Sequence, residues 1–279
     1  MTALLVASAL PVLRASLPLQ ETRGSATDLA VTGELTDLPT NAVRYVRHAD
    51  LAALPTSQLK LTGEFVPGEQ TVTVVYLKDV WAALPKTRSA DTLLATCSDG
   101  YASVFRVDFI ATYQPFLILE INGAKPEAWP PPGLSFNPGP YVISVSSAVV
   151  PAVAQLLDAG HKRPWGVNAI EVANYQTRFA ALRPATHEPS AGREMGREIW
   201  INSCASCHSG PPNTFGGTKS ERPFAIVAFR AKMEPVYFMR YVRDPKSVSP
   251  EARMEPHPHY SDEQLSALIS FITSLTPSS

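Results

Sequence analysis

Cysteine is scarce in this chain: three in 279 residues, at positions 97, 204 and 207. At most one disulfide can form, so the fold is no disulfide framework and must rest on a hydrophobic core. Charge is scarce as well. Asp, Glu, Lys and Arg make up 18% of the residues and the formal net charge is −1, below the usual charged fraction of about a quarter. Basic residues form no long run, which removes the electrostatic footprint of a nucleic-acid-binding protein. No apolar run reaches the roughly 20 residues that cross a bilayer. The most apolar terminus is residues 1–19, MTALLVASALPVLRASLPL, interrupted near its end by Pro11 and Arg14. It reads as a secretory signal with cleavage near Ala15 or Ser16, or as an apolar tail. Internal repeats and long low-complexity tracts are missing too.

Proline, by contrast, is abundant: 26 residues, nearly twice the ordinary share of about 5%. So many prolines shorten helices and favour irregular connections. The remaining 45% apolar content is that of a globular protein, and the length suffices for two domains of ordinary size. Alternating or β-rich runs at 29–35, 58–65, 70–77, 92–97, 116–121, 141–146 and 168–175 predict strands. Asn122-Gly123 marks a turn, and short helices are expected at 77–84 and 150–159. These features predict an α+β domain with a mixed sheet over 26–181. The segment 182–190, with two prolines and little apolar content, reads as a linker. Beyond it, over 191–279, the periodicity turns helical. Ser190 is placed to cap a helix reaching about residue 203, and 234–243 forms a second that stops before Asp244-Pro245. Ser261 and Gln264 form a capping box for a last helix with Leu265, Leu268, Ile272 and Leu275 on one face. The expected architecture is an α+β N-terminal domain followed by an all-α C-terminal one.

The most specific stretch is CASCH, residues 204–208. Cys-x-x-Cys-His is the attachment signature of a c-type haem. On a helix, positions i, i+3 and i+4 share a face. Cys204 and Cys207 would then reach two vinyl groups while the His208 imidazole reaches the iron. A structural zinc site is the alternative, but needs two further ligands, for which His257 and His259 are the candidates. A thioredoxin-type pair wants a βαβ context, which the surrounding sequence lacks.

Residues 192–278 resemble a class I monohaem cytochrome c. GREIWINSCASCH is similar to that family's first helix, with Gly196, Trp200 and Cys204 four apart on one face. The glycine and the aromatic would cross the last helix near Leu268 and Phe271. RDPKSVSPEARM followed by SDEQLSALISFI resembles the loop that delivers the distal ligand. The resemblance implies one covalent haem c on Cys204 and Cys207, with His208 and Met254 as axial ligands. Bis-histidine ligation through His257 or His259 is the alternative, and Met233 and Met239 read as packing or loop residues. Methionine ligation would raise the reduction potential relative to two histidines.

The stretches ATCSDGY (95–101), FLILEINGAKP, NPGPYVISV and RPWGVNAIEV resemble a short version of the sulfite-oxidase-like molybdopterin-binding domain, over roughly residues 28–175. In that family a cysteine at the Cys97 position is a molybdenum ligand. The alternative for Cys97 is a buried apolar thiol. Two departures stand out. SDGY follows the cysteine where full-length enzymes carry a glycine-asparagine pattern, and His161, Lys162 and Arg163 are the only compact basic trio for a pterin pyrophosphate. Trp81 and Trp165 read as core residues.

Together the resemblances imply an exported c-type cytochrome, periplasmic or outward-facing at the bacterial cytoplasmic membrane. It would pass single electrons to a redox partner protein of an electron-transport chain, with the N-terminal domain as a docking module. An uncleaved N-terminus would tether it to the membrane. The alternatives are a molybdopterin-dependent oxidoreductase with haem c as electron exit, and a haem sensor acting through ligand exchange at Met254.

Overall fold

The computed structural model describes residues 16–62, 68–132, 134–156, 159–183 and 191–275. Residues 1–15 of the apolar terminus, Ser190 and most of the expected linker lie outside the described residues. Among the described residues nine strands form: β1 (Leu29–Gly33), β2 (Arg44–Val46), β3 (Thr56–Thr62), β4 (Glu69–Tyr76), β5 (Thr92–Cys97), β6 (Ala102–Arg106), β7 (Phe116–Ile121), β8 (Val142–Ser144) and β9 (Val167–Ala173). They make a five-stranded sheet of order β2-β1-β9-β5-β6 and a four-stranded sheet of order β3-β4-β7-β8. Among the described residues only the β1–β9 pair is parallel. Between strands lie α1 (His48–Ala52), α2 (Leu77–Ala83) and α3 (Val107–Tyr113). After β9 come α4 (Tyr175–Arg178), α5 (Ala191–Asn202), α6 (Phe224–Met233), α7 (Pro235–Arg243), α8 (Pro245–Val248) and α9 (Asp262–Ser274).

Side chains alternate across each strand, so one strand serves two cores. From β5, Leu93, Ala95 and Cys97 point into a cluster shared by both sheets, with Val31, Phe105, Leu117, Ile143 and Val172. Leu17 belongs to the same cluster and its N–H donates to the Ala83 carbonyl at 2.8 Å, so the fold already includes the end of the apolar terminus. The opposite face of the five-stranded sheet supplies Leu94, Ala102, Val104 and Ala173 to a second cluster. Its other members are Trp200, Ile201, Phe238, Leu265, Leu268 and Phe271, from the helices after β9.

This shared cluster overturns the expectation of an α+β domain followed by an all-α domain. The chain is a mixed α/β fold with two sheets and, among the described residues, nine α-helices, three of them between strands. The physical reason is that the C-terminal helices complete their apolar core on the outer face of the sheet. They do not close it among themselves.

Local departures have local causes. The helix expected over 150–159 is replaced by 3₁₀ turns at Pro151–Gln155 and Ala159–Lys162. The elements β2, β6, α1, α3, α4, α6 and α8 lie outside the sequence expectations. In α6, FAIVAFRAKM places apolar residues on both faces, Ile226 and Phe229 being exposed while Ala228 and Ala231 are buried. No one-sided 3.6-residue stripe results. Trp165, expected in the core, is 40% exposed and stacks on Phe136 at 4.8 Å. Met233, expected as packing or loop, is exposed. No described helix is long and apolar enough to cross a membrane.

Candidate functional site

CASCH is positioned by the crossing of α5 and α9. Gly196 sits in α5 where a Cβ would stand 2.1 Å from the Ala267 carbonyl oxygen and 2.8 Å from the Phe271 Cβ. The missing side chain is therefore what lets the two helices touch. One turn later Trp200 is fully buried, with its ring against Phe224 at 5.3 Å and near His208 at 6.4 Å. The α-helix ends at Asn202, ahead of the motif, because Ser203 leaves helical geometry (φ −126°, ψ −65°). Cys204–Ser206 form a 3₁₀ turn. The His208 N–H still donates to the Cys204 carbonyl at 2.9 Å, and the Cys207 N–H donates to the same oxygen at 3.2 Å. The expected helical face is thus replaced by a single tight turn that gathers the three residues.

None of the three cysteines is in a disulfide; Cys204 and Cys207 are half-buried. Burial raises the Cys207 thiol pKa. Burial also lowers the pKa of His208, opposed by the Arg222 main chain and reinforced by the positive charge of Arg222. A neutral imidazole is favoured, which is the form that binds a metal. His208 Nδ1 is buried and lacks a hydrogen bond of ordinary geometry, so the Arg222 main chain is at most a weak acceptor for this ring.

Met254 lies between α8 and α9, half-buried against the cluster that Cys204 also borders. His257 is buried; its N–H donates to the Val242 carbonyl at 3.0 Å. Its ring stacks between His161 at 5.1 Å and Tyr260 at 5.7 Å. Beyond His161 the stack continues to Tyr101, whose hydroxyl is 2.8 Å from His161 Nδ1. At the other end the Tyr260 hydroxyl is 2.6 Å from Ser203 Oγ, next to Cys204. A row of rings therefore runs from the turn after Cys97 to the haem-type motif, and its histidines sit inside that row. Among the described residues no three His, Cys, Asp or Glu side chains gather as a metal site, so the zinc alternative lacks a ligand set.

The residues present fit a covalently held haem. Two thiols and an imidazole are carried on one turn, and the Met254 thioether borders the same apolar cluster as Cys204. The fit to molybdenum is poor. Cys97 is 3% exposed and its thiol pKa is pushed up to about 12, by burial first and then by the Asp99 charge, with Lys219 opposing. The basic trio diverges. Lys162 Nζ donates to the Val104 carbonyl at 2.6 Å and to Asn202 Oδ1 at 3.1 Å, Arg163 Nε donates to the Val145 carbonyl at 3.3 Å, and His161 faces Tyr101. No phosphate clamp is left. Asp99 and Arg106, neighbours of Cys97 in sequence, are drawn into ion pairs with Lys219 and Asp108.

Sequence reasoning missed the segment 216–220, which lies between the CASCH turn and the turn after Cys97. The Gly217 N–H donates to the Ala205 carbonyl at 2.7 Å, Thr218 N–H to the Gly100 carbonyl at 2.7 Å and Ser220 N–H to the Cys207 carbonyl at 2.9 Å. A Cβ on Gly217 would meet the Ser206 oxygen at 2.2 Å, and one on Gly216 the His208 oxygen at 2.6 Å. The Gly216-Gly217 pair was the available signal, since adjacent glycines mark a close backbone approach.

Comparison with protein-family models and with curated proteins finds no match.

Proposed function

We propose that this chain is a c-type cytochrome that transfers single electrons through one covalently bound haem. The observation that carries the reading is the CASCH turn, in which two half-buried cysteines and a half-buried histidine lie within five residues, the Cys207 and His208 N–H groups both donating to the Cys204 carbonyl. When bound, haem supplies a one-electron redox centre. The chain's own residues do the rest. Cys204 and Cys207 anchor the macrocycle, and His208 is kept neutral by burial so that its ring nitrogen is available as a ligand. Trp200, packed on Phe224, lies beside the imidazole. Met254 is the residue that would supply the second protein ligand to the iron, because it borders the cluster that Cys204 also borders while His257 is held in the ring stack. Held by His208 and Met254 together, the group would leave no coordination site for substrate, which suits electron transfer. An outward-facing location and a redox partner protein follow from this reading as proposals of the same standing.

The test is haem content of the denatured chain, produced in a host that matures c-type cytochromes. One haem per chain that resists acidified-solvent extraction is expected, and its loss in the Cys204→Ser/Cys207→Ser double variant. A denatured wild-type chain without haem sinks the proposal. Met254→Ala is expected to alter the absorption spectrum and lower the reduction potential; an unchanged spectrum removes Met254 as ligand. Metal analysis decides the molybdenum alternative, for which the buried, protonated Cys97 offers little support: no molybdenum above background is expected, in wild type or in Cys97→Ser.

A further inference from the structure

Asp99 and Lys219 are 120 residues apart and form an ion pair of 2.7 Å, with side chains 49% and 52% exposed. The pair is held on backbone that has little freedom. Asp99 lies in the turn between β5 and β6, where its carboxylate accepts the Tyr101 N–H at 3.0 Å. Gly100 follows with φ +82°, a conformation that suits glycine. Its carbonyl accepts the Thr218 N–H at 2.7 Å, and a Cβ there would meet Thr218 Oγ1 at 2.5 Å. Lys219 is the next residue, and Ser220 then returns to the Cys207 carbonyl. The two charges are thus fixed one residue away from the hydrogen bonds that tie the CASCH turn to the sheet. Cys207 and Cys97 both lie in the field of both charges.

We propose that Asp99 and Lys219 form a compensated charge pair beside the CASCH turn, in which each member offsets the shift that the other alone would impose on the reduction potential of the redox group carried there. The inference rests on the haem reading above. Oxidising the group adds one positive charge. A neighbouring cation disfavours the oxidised form and a neighbouring anion favours it. In the intact pair these effects largely cancel; deleting one member leaves the other uncompensated.

The experiment is an equilibrium optical redox titration of the haem-loaded full chain at low ionic strength. Lys219→Gln is expected to lower the potential, Asp99→Asn to raise it, and the double variant to return close to wild type. Lys219→Arg, which keeps the charge, is expected to stay at the wild-type potential. Because both groups are half in solvent, the two single shifts are expected to shrink as salt is raised toward physiological strength, where the screening length falls to about 8 Å. A merely structural pair would behave differently: both deletions would loosen the same contact and move the potential in one direction. Shifts of equal sign, or no shift in either single variant at low salt, overturn the proposal while leaving the haem reading intact. A wild-type chain without covalent haem overturns both.

Discussion

At the residue scale, burial assigns the three cysteines to different chemistry. Cys97 pairs across to Val167 in the five-stranded sheet and lies 3% exposed among apolar side chains. Its pKa of about 12 against an ordinary 9.0 has a definite consequence for stability. Between these values the folded chain keeps a proton that the unfolded chain has lost. Stability therefore falls as pH rises through that window. Cys97→Ser is expected to make the alkaline limb of a stability–pH curve shallower, and to cost about 1–3 kcal/mol at neutral pH by burying a hydroxyl in an apolar site. Urea unfolding at pH 7 and pH 10 checks both. A thiol reagent at pH 8 is expected to leave Cys97 unmodified until the chain unfolds. CASCH was legible at this scale because its chemistry lies within five residues. The pairing of Asp99 with Lys219 was not, since no local pattern joins residues 120 apart.

At the element scale, the last helix shows how far local rules reach. Ser261 Oγ accepts the Gln264 N–H at 3.2 Å and the Gln264 side chain accepts the Ser261 N–H at 2.9 Å, which is the capping box expected from the sequence. Ser261→Ala is expected to cost about 0.5–2 kcal/mol, read as a lowered denaturant midpoint with unchanged slope. The buried face of α9, Leu265, Leu268 and Ile272, also follows from the 3.6-residue period. Gly196 tests the crossing beneath it. Alanine at an exposed helix position would stabilise by roughly 0.5–1 kcal/mol. Here the added methyl meets backbone of α9 at 2.1 Å, and overpacking of this kind costs typically 1–3 kcal/mol. Gly196→Ala is expected to be destabilising, and its sign in thermal unfolding separates the two effects. By contrast α6 and β6 escaped notice. α6 is apolar on both sides, and β6 is a five-residue strand running straight into α3.

At the scale of the whole molecule, the seam between sheet and helices is a core. Lys162 is 4% exposed, with its ammonium on the Val104 carbonyl of β6 and the Asn202 side chain at the end of α5. Lys162→Ala strips the Val104 carbonyl and Asn202 of a buried charged donor, a loss of about 1.5–3 kcal/mol. Because Leu94, Ala102 and Val104 share a cluster with Trp200 and Phe271, sheet and helices are expected to unfold together. Far-ultraviolet circular dichroism and tryptophan fluorescence, to which Trp200 in the shared cluster contributes, should give coincident transitions, in Lys162→Ala as in wild type; separate midpoints would mean that the helices hold a core of their own.

Local chemistry by itself determined the haem-type motif, most strands of both sheets and the capped last helix. Each depends on residues within a few positions of one another, or on a period of two or 3.6 that the chain displays directly. Only the tertiary structure decided that the helices after β9 complete their core on the outer face of the sheet, that the basic trio at 161–163 is dispersed, and that Lys219 meets Asp99 beside the CASCH turn. Those outcomes depend on which faces are left uncovered once the sheets have formed, and burial of apolar surface, being non-directional, leaves no mark of its partner in the sequence.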